Sequence, residues 1–64
     1  MLFSEFCNLI PDNICLEIIM PGMGAPISFS DLPEIDKNVV MTCKVTEVYP
    51  LSFEWLGIKV ERLD

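Results

Sequence analysis

The chain has 64 residues, of which 52% are hydrophobic, and its ten acidic and four basic residues give a formal net charge of −6. A chain of this length forms at most one domain with a small core, and this hydrophobic fraction excludes a disordered protein. The basic residues are dispersed along the chain, which argues against direct binding to nucleic acid or to a membrane surface.

The cysteine and histidine content limits which cellular compartment and which kinds of disulfide or metal site can be expected. The three cysteines have no CxxC spacing and there is no histidine, so neither a disulfide scaffold nor a closed zinc site is expected. The N-terminal apolar run lacks a basic region and is too short for a signal peptide or a membrane span. We therefore expect a complete, cytoplasmic protein whose cysteines are buried thiols.

Residues 2–10 show helical periodicity. Leu2, Phe6 and Leu9 recur at i, i+4 and i+7, and a second apolar row runs beside them. Pro11 ends the segment, because a proline pushes the preceding residue out of the α region. The pattern predicts a short N-terminal helix, which must pack on another element to be stable.

The next segments predict a β-hairpin at a sheet edge. Residues 14–20 are rich in isoleucine and lie between turn signals, as is typical of a strand. Residues 21–26, PGMGAP, contain two glycines and two prolines and are predicted to form a loop. Residues 27–30 alternate in polarity and are expected to pair back on the first strand, with the flanking prolines keeping this pair at an edge.

The stretch FSDLPEIDKN, residues 29–38, concentrates three carboxylates, those of Asp31, Glu34 and Asp36. It lacks the ligand spacing and the glycine of a calcium loop, so no metal site is predicted. Pro33 suits the second position of a type I turn, and the stretch is predicted to be a turn between two strands. A turn gives the three carboxylates no structural role, so they are candidates for partner binding.

Two long strands are predicted to complete the sheet. Residues 38–50 alternate between apolar and polar side chains, which favours an antiparallel strand with one buried face. The chain is expected to reverse at 50–52 and to return as a last strand over residues 51–63. The alternation of that strand shifts phase, which predicts a bulge near Gly57; alternatively, residues 51–55 belong to the connection.

Together these elements predict a single small α+β domain, residues 1–64, in which a short N-terminal helix packs on a four-stranded antiparallel sheet. Hairpin connections without a long crossover indicate a meander, or a partial barrel if the sheet curls. Such a sheet keeps apolar residues on its second face, so a homodimer or a binding partner is expected to cover that face.

No catalytic site, cofactor or metal is expected. The loop PGMGAP lacks the lysine and the following helix of a phosphate-binding loop, and a chain without histidine offers a nucleophile no ordinary base. Met23 in that loop and the aromatic residues Phe53 and Trp55 are instead candidates for partner contact, because methionine and large aromatic side chains are typical of binding surfaces. For Trp55 the core is an equally good position.

Several short motifs resemble small uncharacterised proteins encoded by phages and prophages of Gram-positive bacteria. The motifs are LIPDN at 9–13, EI at 17–18, DLP at 31–33, VYP at 48–50 and IKVER at 58–62. They are turn and strand signatures that spread over most of the chain, and the glycine-rich loop departs from the polar hairpin expected there. That family has no settled activity, so the resemblance implies no catalytic residue.

The resemblance implies a mobile-element context, in which small acidic proteins often bind a larger host protein. The leading hypothesis is a non-enzymatic interaction protein, an inhibitor of the anti-CRISPR type that docks its carboxylates on the basic surface of a nucleic-acid-handling host protein. The alternatives are a self-associating structural β domain and an accessory subunit of a larger assembly.

Overall fold

The computed structural model describes residues 1–22 and 24–63 as two helices, four strands and a 3-10 turn. The chain order is α1 (Phe3–Cys7), β1 (Cys15–Ile19), β2 (Ile27–Ser28), the 3-10 turn (Phe29–Asp31), α2 (Glu34–Met41), β3 (Lys44–Ser52) and β4 (Trp55–Glu61). Neither described helix is long and apolar enough to cross a membrane.

The four strands form one mixed sheet in the order β2-β1-β4-β3. β1 pairs with β2, and β3 with β4, in antiparallel fashion, whereas β1 and β4 are parallel neighbours at the centre. The predicted α+β class with a short helix and four strands is confirmed, but the wholly antiparallel meander or partial barrel is wrong. Parallel neighbours need a crossover between them, and here β2, α2 and β3 form it.

The N-terminal helix was predicted correctly in place but is shorter than the periodicity suggests. α1 ends at Cys7, and turn-type hydrogen bonds carry the chain on to Ile10. Ahead of the helix, the chain lies along the start of β3, where the Phe3 N–H donates to the Cys43 carbonyl at 2.8 Å and the Val45 N–H to the Met1 carbonyl at 2.8 Å. The N-terminus therefore covers the first part of this sheet edge.

Helix α2 corrects two predictions, the acidic turn and the first half of the strand over 38–50. The Lys37 N–H donates to the Pro33 carbonyl at 2.9 Å, which closes the first helical turn, and the strand begins only at Lys44. Val39 and Cys43 could not distinguish a helix from a strand, because residues four apart share a face in both. Val40 is the informative residue: it is fully buried in the same core as Cys43, whereas residues three apart in a strand point to opposite faces.

The β3–β4 hairpin also reverses later than predicted. β3 continues to Ser52, and the turn consists of Phe53 and Glu54. The irregularities of pairing lie in β3, between Val45 and Glu47 and again just before Ser52, so the bulge predicted near Gly57 is wrong.

Gly57 is required for a different reason, because there is no space for a side chain at this position. Its cross-strand neighbour is Tyr49, and a Cβ atom at position 57 would collide with the Tyr49 ring. The glycine therefore lets an aromatic ring lie flat on the strand.

The core lies between the two helices and one face of the sheet. Ile18 of β1 and Ile58 of β4 are fully buried, as the alternation of those strands predicted. The buried hydrophobic residues that form the core are Phe3, Ile18, Leu32, Val40, Cys43, Ile58 and Val60. At its margin the Phe29 ring packs on Phe3 with centroids 5.3 Å apart, and the Lys37 ammonium lies 5.8 Å from the Phe29 ring centre.

Candidate functional site

One end of the sheet is acidic. β1 and β4 begin side by side there, since Cys15 pairs with Trp55 and the Cys15 N–H donates to the Glu54 carbonyl at 2.7 Å. β2 runs toward the same end, so the 3-10 turn that follows it brings Asp31 close to the start of β1. Asp12, Asp31 and Glu54 are all exposed, and we call them the acidic end.

The opposite end carries Lys44 and Arg62, which we call the basic end. Lys44 opens β3 and pairs with Glu61, the last residue of β4, and Arg62 follows directly. The remaining basic residues lie on α2 and within β4. Lys37 reaches the acidic end, since its ammonium lies 5.8 Å from the centre of the Phe29 ring in the 3-10 turn, and Glu61 lies at the basic end. Carboxylates are nevertheless in excess at one end and basic side chains at the other, so the molecule has an electrostatic polarity along its strands.

The three carboxylates predicted for partner binding are exposed, but two of them also have a structural role. Glu34 and Asp36 lie in the first turn of α2, where negative charge interacts favourably with the helix dipole. Asp31 ends the 3-10 turn and has no such role. The expectation that these carboxylates serve no structure is thus wrong for Glu34 and Asp36, and the charge density of the stretch follows in part from the helix.

The tip of the β3–β4 hairpin, residues 51–54, exposes large apolar side chains. Phe53 is 99% exposed, and Leu51 behind it is 45% exposed. Two-residue hairpin turns favour glycine, asparagine or aspartate, and Phe53 is none of these. Neither burial nor turn chemistry explains a phenylalanine at this position, so Phe53 is the predicted site residue that the structure leaves most clearly free to bind a partner.

The other two apolar candidates are placed differently. Trp55 is half-buried at the start of β4, on the face of the sheet that points away from the helices, because its neighbour Leu56 packs against the core. Met23 lies outside the described residues. The structure therefore places Phe53 and Trp55 in different surroundings, and it puts Phe53 next to the carboxylate of Glu54.

Metal and nucleophile chemistry find no support among the described residues. No group of three or more acidic or cysteine side chains is placed to hold a metal ion in residues 1–22 and 24–63. Burial raises the pKa of the Cys7 thiol, which makes it less reactive at neutral pH, and the Cys43 thiol donates to the Val39 carbonyl at 3.3 Å. Cys43 is buried, Cys7 is half-buried and Cys15 is exposed, so the prediction of buried thiols is confirmed only for Cys43 and is wrong for Cys15.

Open surface depressions lie at both ends of the sheet. One of about 260 Å³ lies at the acidic end, between the start of β1 and the 3-10 turn, and includes Asp12, Cys15 and Ser30. Another, of about 390 Å³, is lined by Val39, Thr42, Arg62 and Leu63 near the basic end.

Comparison with protein-family models, curated proteins and solved structures gives no match for this chain. The resemblance to phage and prophage proteins consequently stays a prediction.

Proposed function

We propose that the chain is a non-enzymatic protein-interaction module that docks on the basic surface of a larger protein. The observation that carries this proposal is the position of Phe53, which is 99% exposed at a hairpin tip beside the acidic end. A large aromatic side chain displayed at a tip can enter a pocket of the partner and be desolvated there, as interface anchors are.

The charges around the tip determine the kind of partner. The hairpin contains no basic residue between Lys44 and Lys59, while Glu47 and Glu54 are exposed on it. Asp12 and Asp31 extend this negative surface around the end of the sheet. A surface of one sign accelerates encounter with a partner of the opposite sign and disfavours acidic partners, so an apolar pocket with a lysine- and arginine-rich rim is the complementary site.

Asp31, Glu34 and Asp36 widen the docking surface on the helix side, with Met23 and Trp55 as further contacts. A carboxylate at a helix start can interact with the dipole and still meet a cation of the partner, because the first turn of α2 is exposed. The structural role of Glu34 and Asp36 therefore does not remove them from the proposed surface.

In a narrower form, the proposal is that the partner's basic surface is a nucleic-acid groove of a host protein and that the chain acts there as a phage-encoded inhibitor. Its carboxylates then take the place of phosphates. The support is the exposure of the carboxylates, together with the resemblance described above. The expected consequence is competition: the chain should displace labelled nucleic acid from the purified partner.

Affinity capture from lysates of Gram-positive bacteria at low and high salt tests the main proposal. Raising salt from about 0.1 M to about 1 M shortens the Debye length from about 10 Å to 3 Å, so the specific partner should be retained only at low salt. Phe53→Ser should abolish retention of that partner. The triple variant Asp31→Asn, Glu34→Gln, Asp36→Asn should weaken it strongly.

A control variant distinguishes the effect of where the charges lie from the effect of the total charge on capture. Thr42→Lys, Thr46→Lys, Leu63→Lys changes the net charge by the same amount at exposed positions near the other end of the molecule, and should leave capture nearly unchanged. Equal loss with this control would mean that only net charge matters. Capture that is insensitive both to salt and to the triple neutralisation would refute the docking of carboxylates on a basic surface.

A further inference from the structure

The face of the sheet opposite the helices is open. Residues directly across from one another in paired strands share a face, and neighbours along one strand alternate between faces. Because Ile58 points into the core, Gly57 and Lys59 point away from it, and the strand registers add their partners on β1 and β3. Six residues lie at the centre of this open face: Glu17, Ile19, Tyr49, Trp55, Gly57 and Lys59.

The open face carries charges of both signs. Glu47 on β3 pairs with Lys59 on β4, and Lys44 pairs with Glu61 one step further along, while Glu17 on β1 adds a third carboxylate. The chain carries a formal net charge of −6, so a second copy is repelled overall. The two pairs of opposite sign reduce this repulsion on the open face.

The side chains along β4 are arranged symmetrically about Gly57. Trp55 and Lys59 lie two residues before and after it on the same face, each about 6–7 Å away along the strand. The Tyr49 ring covers Gly57, where a Cβ would collide with it. The face therefore has an aromatic residue at one side, a cation at the other, and a flat tyrosine ring between them.

We propose that a second copy of this chain packs face to face on the open face, about a two-fold axis that lies between the sheets and crosses β4 at Gly57. Lys59 of each copy then lies over Trp55 of the other, so the favourable contact of a cation with a tryptophan ring occurs twice. The Tyr49 rings meet near the axis. The same patch serves both copies, as an isologous interface requires.

The polarity of the molecule favours this orientation. In the proposed dimer the two copies of β4 run in opposite directions, so the acidic end of each copy lies over the basic end of the other. Lys44 and Arg62 then approach a carboxylate surface, while the two acidic ends stay apart. This complementarity identifies a second copy, and not an unrelated acidic or basic protein, as the occupant of the face.

One residue opposes the association and sharpens its test. Glu17 pairs with Gly57, so it lies level with the axis and faces Glu17 of the other copy. Two like charges there weaken the dimer, and their removal should strengthen it. The interface lies on the sheet and covers Trp55, one of the further contacts of the proposed docking surface, but it leaves the exposed side of α2 free. The inference therefore goes beyond the proposed function and does not depend on it.

Sedimentation equilibrium of the purified chain tests the proposal. The wild-type mass should rise with concentration from 7.3 kDa toward twice that value. Lys59→Glu should weaken association by about tenfold or more, since it removes both cation–ring contacts. Glu17→Gln should strengthen it, and Lys37→Glu, the same charge change on α2, should leave it close to the effect expected from net charge alone.

Chemical cross-linking tests the register independently. The two-fold axis places Cys15 of one copy over Ile19 of the other, and packed sheets lie about 10 Å apart. The variant Ile19→Cys, treated with a short bismaleimide, should therefore give covalent dimers in much higher yield than the wild type or than Asn38→Cys on α2. Far-UV circular dichroism confirms that each variant is folded.

Each result decides the matter. Concentration-dependent dimers that Lys59→Glu weakens and Glu17→Gln strengthens, with selective cross-linking at position 19, support the proposal. A chain that stays monomeric up to about 1 mM overturns it. Dimers that are indifferent to both substitutions, or cross-links equally frequent from position 38, also overturn it, because they place the contact on another surface.

Discussion

The base and the tip of the β3–β4 hairpin have the same strand pairing but different surroundings. At the base, Val60 is fully buried and Val45 packs against the core, beneath the helices and beside the N-terminal residues. On the edge strand β3, Val48 points to the same side of the sheet as its partner, buried Ile58, and is nevertheless 46% exposed. The difference shows that strand pairing extends further than the helices can cover.

In the part of the hairpin that the helices do not cover, partner binding explains the choice of residues better than packing does. Val60 is apolar because it fills the core, whereas Phe53 fills nothing. Substitutions along the hairpin should therefore divide into those that change stability and those that change only binding.

Ile58→Ala should have the largest effect. Ile58 is fully buried at the centre of the sheet, and removing its side chain leaves a cavity that costs about 2–5 kcal/mol. Urea denaturation followed by Trp55 fluorescence measures the loss. Val48→Ala, on the same side of the sheet but outside the cover of the helices, is the matched control and should cost much less; equal losses would contradict the comparison.

Gly57→Ala should have an intermediate effect. The added methyl group collides with the Tyr49 ring, which must move, and overpacking of this kind typically costs about 1–3 kcal/mol. The free energy of unfolding measures this cost. In the background of Tyr49→Ala the same substitution should cost less, because the obstructing ring is gone. A full cost in that background would mean that strand conformation, not the ring, requires the glycine.

Cys7 should give a modest pH dependence on the covered side. Burial raises the pKa of its thiol in the folded state, so the unfolded state loses this proton first as the pH rises. The contribution of Cys7 to stability is therefore complete below the unfolded pKa of about 8.5 and declines as the pH rises from there through the folded value. Denaturation between pH 7 and pH 10 should show a smaller decline in Cys7→Ala than in the wild type.

Phe53→Ser should have the smallest effect on stability. Phe53 makes no packing contact that the fold needs, and surface substitutions of this kind usually stay within about 0.5 kcal/mol. Thermal unfolding should therefore be nearly unchanged, while capture of a partner is lost. A large destabilisation would show that Phe53 has a structural role, and the reason for assigning it to binding would disappear.

Some elements could be predicted because local pattern and final environment agree. In β1 the alternation that placed Leu16 and Ile18 toward the core is observed, and β2 pairs back on β1 as expected. Pro11, which was expected to stop the N-terminal helix, follows the end of α1. These predictions needed only information within a few residues.

The candidate site was predictable in its residues but not in its arrangement. Phe53 and the carboxylates stood out by composition, yet their exposure depends on where the helices end. The sequence did not reveal that Lys59, Tyr49 and Trp55 form a patch on the open face, since that follows from the pairing of three strands. The sequence did contain a signal for the start of α2, namely Pro33 followed by Glu34 and Asp36 in the first turn.

The amino-acid sequence by itself determined the α+β class, with a short N-terminal helix and a small sheet, and which positions of β1 face the core, because side-chain periodicity is a local property. Only the tertiary structure decided that residues 34–41 form a helix and that β1 and β4 lie parallel at the centre. An apolar run such as VVM suits a strand and a helix almost equally. The proline and the two carboxylates mark the start of α2 locally, but they do not decide the rest of the segment, which depends on the burial of Val40 and Cys43 against side chains distant in the chain.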